Sequence, residues 1–231
     1  MDRFTDEFLD LEVIRAMLPE LITEAMRNTV VFTLIGFTGG LGLGLVLALM
    51  RLSRRRWLRW PSAIFVDTFR GLPALLVIVF IGFGLPIAVG VSFPFPRYTP
   101  GCLALALVSG AYLAETVRSG VEAVPRGQVE AARSLGMGNV TVMTAVVLPQ
   151  AFRIIIPPLT NELVLLFKDT ALLAVLGTDR GGKEITKFAK DFVNSTANTS
   201  PLIAAGVAYL VITIPLIRLV SRMEMRNRPT R

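Results

Sequence analysis

Residues 29–50 read TVVFTLIGFTGGLGLGLVLALM, 22 positions without one charged side chain. About 20 apolar residues in a helix cross a hydrocarbon core. No water is available there to satisfy peptide groups, so the chain must pair its own N–H and C=O groups. This stretch decides the fold class: an all-α integral membrane protein. Working outward, 71–96, 98–114 and 192–217 are also uncharged, and 154–178 is apolar apart from Glu162, Lys168 and Asp169. Five transmembrane helices are predicted, near 27–50, 62–88, 99–119, 152–177 and 200–219. Composition agrees, with 53% hydrophobic residues and a mean hydropathy of +0.61.

Absences narrow the chemistry. There is no histidine, and Cys102 is the lone cysteine. The commonest metal ligand and the usual proton shuttle near neutral pH are therefore missing. No HExxH or GxSxG segment occurs, which argues against a membrane hydrolase. The first 25 residues are acidic rather than basic, so no signal peptide is expected there.

Arginines set the expected orientation. The segment RLSRRRWLRW (51–60) carries Arg51, Arg54, Arg55, Arg56 and Arg59, and the tail beyond Ile217 carries five more. Cytoplasmic loops collect Lys and Arg, and five spans place these two segments on one side. The N-terminus is expected outside and the C-terminus in the cytoplasm. Arg180, Lys183, Lys187 and Lys190 on the opposite side are a smaller counterweight. The expected organisation is an acidic extracytoplasmic segment (1–26), a transmembrane domain (27–219) with a cytoplasmic loop at about 120–150, and a basic cytoplasmic tail (220–231).

GTDRGGKE (177–184) is one residue short of a phosphate-binding P-loop. Gly177, Gly182 and Lys183 match G-x-x-x-x-G-K, but Glu184 stands where a magnesium-binding hydroxyl is needed. The preceding LLAVL belongs to a membrane helix rather than a strand. A helix-ending turn is the expected reading. A short amphipathic helix should follow, with Ile185, Phe188, Ala189 and Phe192 on one face.

The most specific stretch is EAARSLGMGNVTVMTAVVLP (130–149). Residues 126–135 suit a short helix, and Gly136 suits the left-handed position that ends one. Glu130, Ala131, Ala132 and Gly136, followed after nine residues by Val146, Leu148 and Pro149, resemble the EAA loop of bacterial ABC importer permeases. That pattern is E-A-A-x3-G-x9-I-x-L-P, and Val146 in place of Ile is the one change. FRGLPALLVIVFIGFGLP (69–86) and LTNELVLLFKDTALLAVLG (159–177) are similar to the polar amino acid branch (histidine/glutamine/glutamate type) of the family. The similarity covers about residues 25 to 220.

The resemblance implies a type I ABC importer transmembrane fold in a bacterial cell membrane. It implies a permease subunit, not itself an enzyme, that passes polar amino acids of the glutamate, glutamine or basic class. The implied partners are two copies of an ABC ATPase, an extracytoplasmic solute-binding protein, and a second permease as homodimer or paralogous heterodimer, all within membrane lipid and without nucleic acid. No cofactor would be bound by this chain; ATP and Mg would be used by the ATPase subunit. Glu130, Ala131, Ala132, Arg133 and Gly136 would form the coupling surface. The alternative is a stand-alone secondary transporter or channel for small polar solutes, against which the absence of an internal repeat counts.

Charged residues inside a bilayer face a cavity or a partner. Asp67 and Arg70, three apart, are spaced to pair. With a straight second span, Arg70 would sit about 12 Å from its inner start and Glu162 about 15–18 Å into the fourth span. Pro157 and Pro158 are expected to bend or break that span. A zwitterion needs both signs along its path. Arg70 and Lys168 suit its carboxylate; Asn161, Glu162 and Asp169 suit its ammonium. The same groups equally suit mutual pairing that fixes helix packing, and Lys168 beside Asp169 suits a gate. Gly36, Gly40 and Gly44 form a smooth stripe for close helix contact. Glu115, Arg118 and Glu122 are spaced for pairing along one helix.

Overall fold

The computed structural model describes residues 8–94, 98–177 and 181–226, and within them every regular element is helical. Helix α1 runs Leu11–Leu52, α2 Arg56–Gly71, α3 Ala74–Val89, α4 Thr99–Glu122, α5 Arg126–Ser134, α6 Asn139–Leu176, α7 Ile185–Thr196 and α8 Ser200–Arg226. Four of these (α1, α4, α6 and α8) are long and apolar enough to cross a membrane, and α2 and α3, taken together across their bend, are a fifth candidate.

The bundle is built on α1 and α4. Gly36, Gly40 and Gly44 of α1 face Leu105, Ser109 and Leu113 of α4 at a constant offset. The two helices therefore run parallel, as the first and third of five alternating spans should. No side chain separates the backbones along the stripe, and Gly110 completes the contact from α4. Helix α8 returns beside α6 in the opposite sense, with Thr160 near Met223 and Phe167 near Tyr209. The Asp10 backbone N–H donates to Ser200 Oγ at 2.9 Å, so α1 and α8 start together. Helix α8 runs away from that point, so the start of α1 and the end of α8 lie at opposite ends of the bundle.

Two boundaries differ from expectation. The first helix begins at Leu11, capped by the Asp10 carboxylate on the N–H groups of Glu12 and Val13. Met17, Leu21 and Ala25 pack against Ile185 and Phe188 of α7 and Ala204 of α8. Much of the acidic N-terminal segment is thus a docked helix, held by apolar residues spaced four apart. Helix α6 starts at Asn139 and runs through Pro157 and Pro158 without a break. Each proline costs one helical hydrogen bond, but in lipid no water competes for the remainder.

The second span is the larger correction. It is not straight: α2 and α3 meet at Leu72–Pro73 and are bent by 105°. Leu72 is extended (φ −88°, ψ 140°), the conformation a following proline favours. Val66 is buried with Leu47 and Ala114, and the Ser62 hydroxyl donates to the Leu47 carbonyl at 2.7 Å. Helix α2 therefore lies across α1 and α4 rather than along them. The expected 12 Å depth of Arg70 assumed a straight span and does not hold.

Candidate functional site

At one end of the bundle α5 projects between α4 and α6. Pro125 precedes it, and Gly136, at φ +81°, reverses the chain after it. Leu135 N–H and Met137 N–H return to the carbonyls of Ala131 and Ala132, closing the helix. Glu130, Ala131 and Arg133 are exposed, and Glu130 makes no ion pair among the described residues. Arg133 donates to Asn139 Oδ1 at 3.2 Å, tying the helix to the start of α6. Ala132 faces inward, packed with Val142, Val147 and Ala151. Of the small pair, only Ala131 lies on the free face; Ala132 keeps the helix close to its own bundle.

Halfway along the bundle, the break between α2 and α3 opens a cavity of about 200 Å³. Leu72 and Ala74 flank it from the break, Ser109 and Tyr112 from α4, and Glu162 and Asp169 from α6. The two carboxylates are seven residues apart, two helical turns, and so share a face. Arg70 sits over the Tyr112 ring, 5.6 Å from its centroid, at the cavity's edge. Asn161 and Lys168 do not line the cavity. They lie with Ile154 and Pro158 on an adjacent exposed stripe of α6. The structure thus gathers Glu162, Asp169 and Arg70, and sets Asn161 and Lys168 on a different face. Ser109 and Tyr112 escaped the sequence reading because neutral polar residues in an apolar span carry no distinguishing signal.

The expected Asp67–Arg70 pair is absent among the described residues. Asp67 instead pairs with Arg51 at 3.5 Å, and Arg70 reaches Glu115 at 3.9 Å. Glu115 also receives Arg51 at 3.1 Å and Arg118, while Arg118 bridges to Glu122. The bend turns Arg70 toward α4, which is why its partner is not on its own helix. Glu115 becomes the hub of a cluster joining α1, α2 and α4.

The near-P-loop is at the opposite end, and its residues 178–180 lie outside the described residues. Gly177 ends α6 in the left-handed conformation (φ +66°). The Gly181 N–H donates to Glu24 at 2.9 Å, a carboxylate rather than a phosphate. Asn28 Nδ2 donates to the Lys183 carbonyl at 3.0 Å, and Thr29 Oγ1 accepts the Ile185 N–H at 3.1 Å. Lys183 pairs with Asp191. Glu184 caps α7, its oxygens accepting the N–H groups of Thr186 and Lys187 at 2.6 Å each and the Tyr209 hydroxyl at 3.1 Å. Burial pushes its carboxyl up to about 7 despite these donors. Among the described residues, the Gly181 N–H and the Lys183 and Glu184 side chains are already engaged within the protein, where they help hold α7 in place.

A helical bundle with a Gly-terminated hook at one end and a polar cavity beside a broken span is matched by known proteins. Residues 40–229 match the family described as binding-protein-dependent transport system inner membrane component. The chain belongs to this family. The permease is similar to the octopine transport system permease protein OccM of Rhizobium meliloti, 38% identical over 199 residues, covering 83% of this chain and 80% of the relative. It is similar to the arginine transport system permease protein ArtQ of Bacillus subtilis (strain 168), 34% identical over 204 residues, covering 87% and 90%. A crystal structure of an amino acid ABC transporter with histidines superposes with a TM-score of 0.83 at 33% identity, covering 91% of this chain and 95% of that one. The fold of the permease is that of type I ABC importer membrane subunits, and it is a multi-pass inner-membrane protein.

Proposed function

We propose that this permease carries polar amino acids across the membrane, driven by ATP hydrolysis on a separate subunit. The observation that carries the substrate class is the cavity at the break, with Glu162 and Asp169 on one wall and Arg70 at its edge. Carboxylates meet an ammonium and a guanidinium meets a carboxylate, so one small site offers both halves of a zwitterion a partner. The similarity to permeases named for octopine, arginine and amino acid transport supports this chemistry. Asn161 and Lys168, on the exposed stripe of α6, face a second permease subunit, identical or paralogous, across the path. Polar groups on a lipid-facing stripe would be costly, which favours a partner there.

Helix α5 is the coupling element. Its exposed face of Glu130, Ala131 and Arg133 docks on the ATPase, where ATP and Mg are used, and Gly136 lets the chain turn back into the bundle. In this reading α5 and the end of α8 lie inside and the starts of α1 and α8 outside, where an extracytoplasmic binding protein delivers solute. The arginines at 51–60 support this orientation.

The test uses the complete transporter in vesicles, with uptake and solute-stimulated ATPase measured together. Glu162→Gln should weaken uptake of cationic and zwitterionic amino acids while leaving basal ATPase intact. Normal uptake of every amino acid by that variant would remove Glu162 from the path. Uptake by the permease alone, driven by an ion gradient, would favour a secondary transporter instead.

A further inference from the structure

Helix α2 has three faces rather than two. At about 100° per residue, Leu58, Ser62, Phe65, Val66 and Phe69 share one face, and this face packs on α1 and α4. Trp57, Trp60 and Ile64 share a second face and are 66%, 65% and 58% exposed. Arg56, Arg59, Asp67 and Arg70 share the third. A helix in water has no reason to expose two tryptophans and an isoleucine in a line. A helix in the hydrocarbon core has no place for a charged edge. The combination suits a helix whose start lies in the bilayer interface, with Trp57 and Trp60 in lipid and Arg56 and Arg59 at the headgroups, and whose far end at Arg70 descends to the cavity. The 105° bend at Leu72–Pro73 tilts α2 away from the direction of α3.

A groove of about 520 Å³ runs beside the charged edge, between Arg51, Arg59, Trp60, Asp67, Arg118 and Glu122. Arg51 and Arg118 are already paired with carboxylates. Arg59 is not, and neither are Arg54, Arg55 and Arg56, among the described residues. Arg59 thus stands unpaired in a groove with an indole in its wall, and Arg54, Arg55 and Arg56 are exposed without counter-charges at the start of the same helix. We propose that this groove holds the phosphate headgroup of an anionic phospholipid, on the leaflet at the α5 end of the bundle. Guanidinium groups fork onto phosphate oxygens, and the Trp60 and Ile64 edge lies along the acyl chains. The neighbouring surface agrees: Ser62 crosses α1 at Leu47, where Val46 and Leu49 are 55% and 69% exposed. A protein partner over α2 would leave that adjoining band of α1 to lipid, whereas a lipid continues along both. This site is separate from the cavity and stands whether or not the substrate reading does.

The chain supplies its own reporter, because Trp57 and Trp60 are its only tryptophans. The full-length protein is reconstituted in phosphatidylcholine with brominated phosphatidylglycerol or, at the same mole fraction, brominated phosphatidylcholine. Tryptophan fluorescence should be quenched at several-fold lower mole fraction by the anionic lipid, roughly fivefold per engaged arginine at low salt, and high salt should shrink the difference. Arg56→Gln with Arg59→Gln should abolish the preference while leaving quenching by brominated phosphatidylcholine. Equal quenching of the unaltered protein by both lipids would overturn the proposal. So would access of aqueous acrylamide to both indoles that closes only when the ATPase subunit binds, since that face would then belong to a protein. The lipid comparison on the unaltered protein decides the matter even if the double variant does not fold.

Discussion

Replacing Gly44 with alanine should drive α1 and α4 apart. A Cβ on Gly44 would lie 2.9 Å from Leu113 Cβ, 3.0 Å from the Ala114 nitrogen and 3.0 Å from the Gly110 oxygen. Non-bonded carbons rest at about 3.5–4.0 Å, so roughly half an ångström or more must be found. None of the three atoms moves with a rotamer change, because two are backbone and the third is a Cβ. The helices themselves must separate, and overpacking of this kind costs about 1–3 kcal/mol. Gly42, half a turn away, has nothing within 4 Å of its added Cβ. Both substitutions gain the same helix propensity, about 1 kcal/mol, so the difference between them isolates the contact. Equilibrium unfolding in mixed micelles should place Gly44→Ala about 1–3 kcal/mol below Gly42→Ala. Equal stability of the two variants would refute the claim that these backbones touch along the glycine stripe.

Glu184 should make stability pH-dependent. Its carboxyl is raised from 4.5 to about 7 in the folded protein, so between those values the folded chain keeps a proton the unfolded chain has shed. Stability therefore falls as pH rises through that window and levels off above it, by on the order of 3 kcal/mol in all; melting temperatures from pH 4 to 8 should show the slope, and Glu184→Gln should flatten it. Gly136→Ala asks an L-residue to adopt φ +81° at a cost of about 1–2 kcal/mol, and should lower the ratio of solute moved to ATP hydrolysed more than it lowers folded yield. Ser62→Ala removes the 2.7 Å hydroxyl bond to the Leu47 carbonyl, and should destabilise the chain by about 1 kcal/mol in the same micelle titration.

Much of the architecture was legible because the bilayer acts residue by residue. Uncharged runs had to become helices, and the spans found lie where those runs are. The loop at 126–136 was legible to within a residue, since its Pro, Ala and Gly positions carry local backbone preferences: α5 ends at Ser134 and Gly136 is left-handed. The bend at Leu72–Pro73 was not legible in direction, because that depends on Val66 and Ser62 meeting helices far away in the chain. Arg70 illustrates the consequence. A neighbour three residues away looked like its partner, and the bend gave it Glu115 instead. The cavity was half legible: Glu162 and Asp169 stood out as charges in an apolar run, while Ser109 and Tyr112 joined them only through the packing of α4.

The sequence alone determined which segments leave water, that they are helical, and that a Gly-terminated hook stands between two of them. Those outcomes are sums of transfer costs and backbone preferences, each a property of a residue and its near neighbours. Tertiary structure alone decided that α2 lies across the bundle, that Ala132 turns inward, and that Glu184 serves as a helix cap. These depend on which faces of distant helices come within van der Waals reach, and the close approach of the α1 and α4 backbones governs that geometry.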